Sequence, residues 1–306
     1  MDTSLDEELR ISVVIPAFNA LPYLKETIAS LEAQQGGVRF FEVIVVDDGS
    51  SDGTDDYLRA YQGPLRLISV ILSSNRGRSA ARNAGIAKAS AKLLLLMDAD
   101  MRVAPDFVAG HLSAHTDSNV VVVGQVRFDH SSRIGGYSKY WERRGAQRNS
   151  RLGTINPRYF LSGASSLPTD LARKIGGFDE IINYGEDIDF GLRLAQAAAK
   201  MVYNPNLTSI HLHQRELSDV LGVLYNFGVD TLPILIKKHP RLRDELRVSL
   251  SERTGIAGMV IRAAMSNIIH HPMLILGKWL DHWGIASPIF TYLIFRAYIS
   301  GWRRSV

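Results

Sequence analysis

The 306-residue chain contains no cysteine, which excludes a disulfide framework, a zinc–thiolate site and a thiol nucleophile. No G-x-G-x-x-G follows the first apolar run and no G-x-x-x-x-G-K occurs, so a dinucleotide-binding turn and a P-loop are both missing. Long apolar runs are scarce as well. The late stretches 263–277 and 283–295 stop short of the roughly 20 residues that a spanning helix needs, and the first is broken by His270, His271 and Pro272. The opening "MDTSLDEELR" is acidic and polar, without the basic and apolar regions of a secretory signal, so none is expected. Repeats with a period of roughly 20 to 50 residues are absent too, as are low-complexity tracts.

An apolar content of 46% against 22% charged residues is that of a globular chain, which argues against disorder. The charge is unevenly spread. From residue 237 onward there are 11 Lys/Arg against 4 Asp/Glu, while the remainder has 24 against 27. A basic, apolar tail on a slightly acidic body points to an anionic membrane surface as partner rather than to nucleic acid. Helices that pack on the protein or form a homodimer are the competing reading. A cytoplasmic protein, peripheral on the inner face of the membrane, is the expected location.

Strand and helix patterns alternate from residue 11 to about 126. "ISVVIPAF", "FEVIVVDD", "LRLISVIL", "KLLLLMDAD" and "NVVVVGQVRF" are apolar, largely β-branched or leucine-rich runs that read as buried strands. Helical stretches separate them. One carries Leu24, Ile28 and Leu31 on a single face after Asn19, and another is the alanine-rich "GRSAARNAGIAKAS". Strands that are apolar throughout, each followed by a helix, predict an α/β fold with a mostly parallel sheet covered by helices. Beyond residue 127 the rhythm breaks into a basic, aromatic, glycine-rich stretch. A short helix with Thr169 as its cap follows, then a longer one with Ile188, Leu192 and Ala195 on one face. Apolar helical segments over Leu217–Lys238 and roughly 256–298 complete the chain. The division expected is a catalytic domain over 1–215, with halves at about 11–126 and 127–215, and a helical region over 216–306.

Ligands of such sheets bind outside the carboxyl ends of the strands, where this sequence concentrates its acids. Asp98 and Asp100 follow "LLLLM". If the backbone stayed extended both would point the same way, and a divalent cation between them would relieve their repulsion. Asp47 and Asp48 end another strand in "VVDDGSSDGT", where an acid can accept from a base or from ribose hydroxyls. Arg76, Arg78 and Arg82 surround a helix start suited to a diphosphate. Glu186 and Asp187 open the helix "GEDIDFGLRL", and one of them is placed to act as a general base. His211 and His213 lie on one face of an extended "IHLHQ".

Taken in order, "VVIPAFN", "VVDDGSSDGT", "NRGRSAARNAGI", "LLLLMDAD", "SGASSLPTDLARKIGGFDE" and "YGEDIDFGLRL" resemble a family 2 glycosyltransferase with the GT-A fold, a Rossmann-like sheet here followed by a helical C-terminal extension. The resemblance covers about residues 11 to 215. It implies transfer from a nucleotide-diphosphate sugar, a UDP-sugar first, to a hydroxyl acceptor such as a lipid-linked glycan, with inversion at the anomeric carbon and with Mn2+ or Mg2+ as cofactor. On that resemblance Pro16, Ala17 and Phe18 line the nucleotide pocket, and Asp48 contacts the base. Gly77 and Arg78 lie under the donor, and Asp98 reaches the ribose and the metal. Asp100 is the firmer metal ligand with His211 completing the shell, and Asp187 is the base with Glu186 beside it. Ser165 departs from the family pattern on the acceptor side.

Two further classes compete. A phosphoacceptor domain shares the spacing of Asp47/Asp48 and Asp98, but it places its acidic pair on the first strand. An inactive sugar- or nucleotide-binding scaffold conflicts with the presence of Asp98, Asp100 and Asp187 together.

Overall fold

The computed structural model describes residues 9–117, 119–131, 133–148 and 151–305; residues 1–8, which carry most of the acidic opening, lie outside the described ones. The elements run β1 (Ile11–Ala17), α1 (Leu21–Glu32), β2 (Phe41–Asp47), α2 (Thr54–Arg59), β3 (Arg66–Ile71), α3 (Arg78–Lys88) and β4 (Leu93–Met97). Next come β5 (Met101–Val103), α4 (Phe107–Ser113), β6 (Val120–Phe128), α5 (Gly136–Trp141), β7 (Gly153–Thr154), β8 (Ala164–Pro168), α6 (Thr169–Lys174), α7 (Glu186–Gln196) and β9 (Lys200–His211). The remainder is helical: α8 (Leu217–Asn226), α9 (Leu232–Lys238), α10 (Leu242–Glu245), α11 (Val248–Ser251), α12 (Gly255–Ala264), α13 (Asn267–His282) and α14 (Ile289–Ser305).

These elements form two compact units. The first comprises Met1–Asp129, Gly145–Ile181 and Glu186–His213 and holds a nine-stranded sheet in the order β3-β2-β1-β4-β8-β6-β9-β5, with β7 paired to β9. Strands β1 to β4 are mutually parallel, with Val14 opposite both Ile44 and Leu96. Every residue of β2 is buried, as a strand covered on both faces requires. Past β4 the sheet becomes mixed. β8 runs antiparallel to both β4 and β6, whereas β6 and β9 are parallel. β8 was not legible as a strand because its centre is Ser165-Ser166 rather than an apolar run. Both serines are fully buried and satisfied locally: Ser165 donates to the Leu161 carbonyl at 2.6 Å, and the Ser166 hydroxyl meets the rings of His111 and His115.

Two local expectations are corrected. Thr169 does not cap α6 but forms its first residue, and its hydroxyl donates to the Ala91 carbonyl. The buried face of α7 is Glu186, Phe190 and Leu194 rather than Ile188, Leu192 and Ala195. Phe190 stacks on Phe178 with ring centroids 4.1 Å apart, and that aromatic pair decides the rotation of the helix. A rotation that buries Phe190 also turns Glu186 inward, one turn earlier on the same face.

The second unit comprises His130–Arg144, Ile182–Gly185 and Gln214–Val306. α8 and α9 join through a π-helical turn at Phe227–Thr231 into one 22-residue helix over Leu217–Lys238. Its length and mean hydropathy of 1.4 suffice to cross a membrane, yet it packs along α14. Gly228 makes that crossing close, since a Cβ there would meet the Tyr298 carbonyl oxygen at 2.0 Å. Tyr140, Leu217, Phe290 and Leu293 form one buried apolar cluster of the unit. The basic, glycine-rich stretch after residue 127 contributes α5 to it.

Candidate active site

The centre of the site is Arg82 on α3. Its side chain is 1% exposed, and it donates to Asp98 Oδ1 at 2.8 Å and to Glu186 Oε1 at 2.9 Å. The guanidinium also lies over the Phe178 ring, 5.3 Å from its centroid. Burial alone would favour a neutral side chain, but Asp98, Glu186 and Asp187 outweigh it and raise the Arg82 pKa further. One cation thus ties the end of β4 to the start of α7. This corrects the expectation that Arg82 faces a diphosphate. Arg76 also has a protein partner, Glu180 at 3.1 Å, whereas Arg78 is half-exposed with its Nε 3.5 Å from Glu186.

The second correction concerns the two aspartates. β4 ends at Met97, and residues 98–100 leave the strand in a turn, so the backbone does not hold Asp98 and Asp100 in extended register. Each has its own neighbour. Burial pushes Asp98 up, yet Arg82, Arg78 and His211 prevail and hold its carboxyl below the usual range. Asp100 Oδ2 lies 3.6 Å from His211 Nε2. Burial raises the Asp100 carboxyl against the pull of His211, and the charge of Asp98 adds to the rise. The pairing of β5 with β9 sets Met101 opposite His211, which brings the imidazole to the acid. His213 instead packs on the Tyr23 ring at 5.6 Å.

Among the described residues no three His, Asp or Glu side chains are gathered as a metal cluster. Asp100 and His211 nonetheless suit a hard divalent ion that takes its remaining oxygens from water and phosphate. They offer one carboxylate and one imidazole within 3.6 Å, and the His211 Nδ1 is buried without a partner.

Asp187 has an environment of its own. Its Oδ2 accepts from the Ser162 amide at 3.2 Å, while Oδ1 is buried with no partner. A helix N-terminus favours the ionised form of an acid. Here burial and the adjacent Glu186 charge prevail and push the Asp187 carboxyl up to about 6. A carboxylate with that pKa and an unengaged oxygen is suited to accept a proton near neutral pH.

The expected nucleotide-binding residues occupy the carboxyl ends of β1 and β2 and the loop before α3. Ala17 is buried, Pro16 partly so, and Phe18 is 47% exposed. Asp48 is buried, and its two oxygens accept from the backbone amides of Arg76 and Gly77, both at 2.8 Å. The same acid therefore fixes the loop that leads into α3.

Residues 12–176 match the model of glycosyl transferase family 2, which is more than half of the chain. The chain belongs to this family. It is 30% identical over 282 residues to the validoxylamine A glucosyltransferase of Streptomyces hygroscopicus subsp. jinggangensis, a match covering 82% of this chain and 65% of that protein. The chain thus spans slightly less than two thirds of that relative. Among solved structures, the mannosyltransferase of Pyrobaculum calidifontis in complex with GDP-Man and Mn2+ superposes with a TM-score of 0.62 at 18% identity, covering 99% of this chain and 90% of the other. Staphylococcus aureus TarS in complex with UDP-GlcNAc gives 0.56 at 20% identity, covering 72% and 66%. These likenesses establish the shared fold.

Within this family 2 chain, sequence reading missed Arg82 as the link between Asp98 and Glu186, and it missed Gly163. A Cβ at Gly163 would lie 2.6 Å from Asp98 Oδ2, so the segment entering β8 has room for that carboxylate only without a side chain. The signal available for Arg82 was an arginine inside the alanine-rich, buried face of a helix, where a long cation needs acidic partners.

Proposed function

We propose that the protein is an inverting glycosyltransferase that moves a sugar from a nucleotide-diphosphate sugar, a UDP-sugar first, to a hydroxyl of an acceptor such as a lipid-linked glycan. The observation that carries this reading is Asp187: a carboxylate raised to about 6, with one oxygen unengaged, in the unit that also holds the Asp98–Asp100 turn. Asp187 takes the proton of the acceptor hydroxyl as that oxygen bonds to the anomeric carbon. The bond from that carbon to the diphosphate breaks, and the nucleoside diphosphate departs with the bonding electrons. Glu186 is held by Arg82 and keeps the start of α7 in place, while its charge keeps Asp187 basic.

Asp100 and His211, with Asp98 alongside, would hold a divalent ion, Mn2+ or Mg2+, which supplies positive charge to the departing diphosphate. Pro16, Ala17 and Phe18 flank the base and ribose. Asp48 reaches the base with the lone pairs left after its two amide bonds, and Gly77 and Arg78 lie under the donor. A cytoplasmic location beside an anionic membrane belongs to the same reading, because a lipid-linked acceptor is presented there.

The test is release of nucleoside diphosphate from a panel of UDP- and GDP-sugars, by the wild type and by Asp187→Asn. Donor-dependent release that falls roughly 10²- to 10⁴-fold in the variant, as loss of a general base predicts, supports the reading. Nucleotide binding without turnover in the wild type, under every acceptor and lipid condition tried, would instead identify a binding scaffold.

A further inference from the structure

We propose that α12 and α13 form a face that lies in the interface of an anionic lipid bilayer, with Arg143 and Arg144 receiving lipid phosphate beside it. The inference deepens the membrane part of the reading above and does not depend on the transferase chemistry.

The apolar surface of the described residues is concentrated in one place. Of thirteen large hydrophobic side chains that are exposed, ten fall between Ile256 and Ile285. On α13 and its C-cap Trp283, the side chains of Ile268, Ile275, Leu276, Trp279 and Trp283 recur at helical spacing and form one stripe open to solvent. The opposite side of the same helix, with Met273, Leu274 and Leu280, packs on the Phe290–Leu293 core. The helix is therefore apolar on both sides, and the second unit covers only one of them. Soluble surfaces rarely leave such a patch open.

Charge and geometry favour a bilayer over a second protein copy. Residues 255–285 contain one acid, Asp281, and its Oδ1 is turned inward to accept from the Tyr137 amide at 2.8 Å. The stripe itself contains no carboxylate to repel lipid phosphates, and Arg262 and Lys278 are exposed on these helices. The unit as a whole has 16 Lys/Arg against 8 Asp/Glu, whereas the sheet unit has 19 against 23. Trp279 and Trp283 are 53% and 60% exposed, with ring centroids 6.4 Å apart. Tryptophan pairs beside basic residues suit the headgroup boundary. α12 and α13 have 10 and 16 residues and meet at a bend of 46°. Packing of α13 on the core along its length favours a helix that lies in the plane over one that spans.

A cavity of about 310 Å³ lies just after the stripe in the chain, lined by Ala286, Ser287, Pro288 and Thr291 together with Arg143 and Arg144. Arg144 lies over the Tyr140 ring at 5.0 Å, and among the described residues the Arg143 side chain makes no hydrogen bond or ion pair, only its amide donating to the Tyr140 carbonyl. A phosphate held there would be accompanied by acyl chains at the adjoining apolar stripe.

The experiment is co-sedimentation of the full chain with phosphatidylcholine vesicles, with and without phosphatidylglycerol, read alongside quenching of tryptophan fluorescence by brominated lipid. The wild type should sediment with the anionic vesicles and be quenched. Trp279→Glu with Trp283→Glu should weaken binding more than tenfold and remove most of the quenching. Arg143→Glu should weaken it roughly 30-fold on anionic vesicles only, the effect of reversing one surface charge. Unchanged UDP or GDP binding in each variant shows that the fold is intact and separates this test from the transferase reading. Absence of wild-type sedimentation, or variants that sediment like the wild type, would overturn the proposal. So would a concentration-dependent dimer, seen by light scattering without lipid, that the double tryptophan substitution dissolves.

Discussion

Arg82 and Glu186 are 104 residues apart in the chain and 2.9 Å apart in space, both almost fully buried. The pair joins the helix after β3 to the helix that carries the proposed base, and the second nitrogen of the same guanidinium holds Asp98. Removing one partner of such a cluster leaves uncompensated charge in a dry place, at a cost of about 3–5 kcal/mol. Arg82→Ala should lower stability by about that much in urea denaturation. Arg82→Lys, which keeps the charge but lacks the fork, should recover only part of it.

The Asp187 carboxyl provides a pH signature. With Asp187 as the base, turnover is half-maximal at about pH 6, approaches its full value about one unit above and falls tenfold per unit well below, as a group that must be deprotonated requires. A pH–rate profile with saturating donor reads this limb.

The same shift predicts a stability effect. A folded-state pKa of about 6 against 3.8 means that the folded chain binds the proton more tightly than the unfolded one. The stabilising contribution is therefore full below about pH 4 and is lost as the pH rises through 6. At pH 7 the ionised carboxylate is a burden, so Asp187→Asn should be more stable than the wild type by about 3 kcal/mol while losing turnover. Denaturation at pH 7 and pH 4.5 distinguishes the two forms, because the gap should narrow at the lower pH.

Gly163 faces Asp98 closely enough that a methyl group would lie 2.6 Å from Oδ2. Gly163→Ala should displace the carboxylate and strain its bond to Arg82, at a cost of about 1–3 kcal/mol, and nucleotide affinity should fall with it. Thermal unfolding and nucleotide titration of the same sample check both effects.

Much of this was legible in the sequence, and the exceptions have physical causes. The four parallel strands were visible because each is a mostly apolar run, unbroken in β4, although β3 has no buried residue and β2 carries Glu42 and Asp47. β8 was hidden because its buried Ser165 and Ser166 are satisfied by a carbonyl and by two histidines, contacts that no local pattern encodes. The acids were legible as a group because they follow strand ends. Their individual partners were not, because Arg82 meets Asp98 and Glu186 only through the packing of α3 and α7. The face of α7 was misassigned for a similar reason: the stack of Phe178 on Phe190 fixes its rotation, and it is a long-range contact.

The most direct measurement is calorimetric titration with UDP and GDP, with and without Mn2+, on the wild type, Asp100→Ala and His211→Ala. The wild type should bind one diphosphate in a metal-dependent way, and both variants should lose the metal-dependent increment. Binding by the variants with the same metal dependence as the wild type would contradict the proposed metal site.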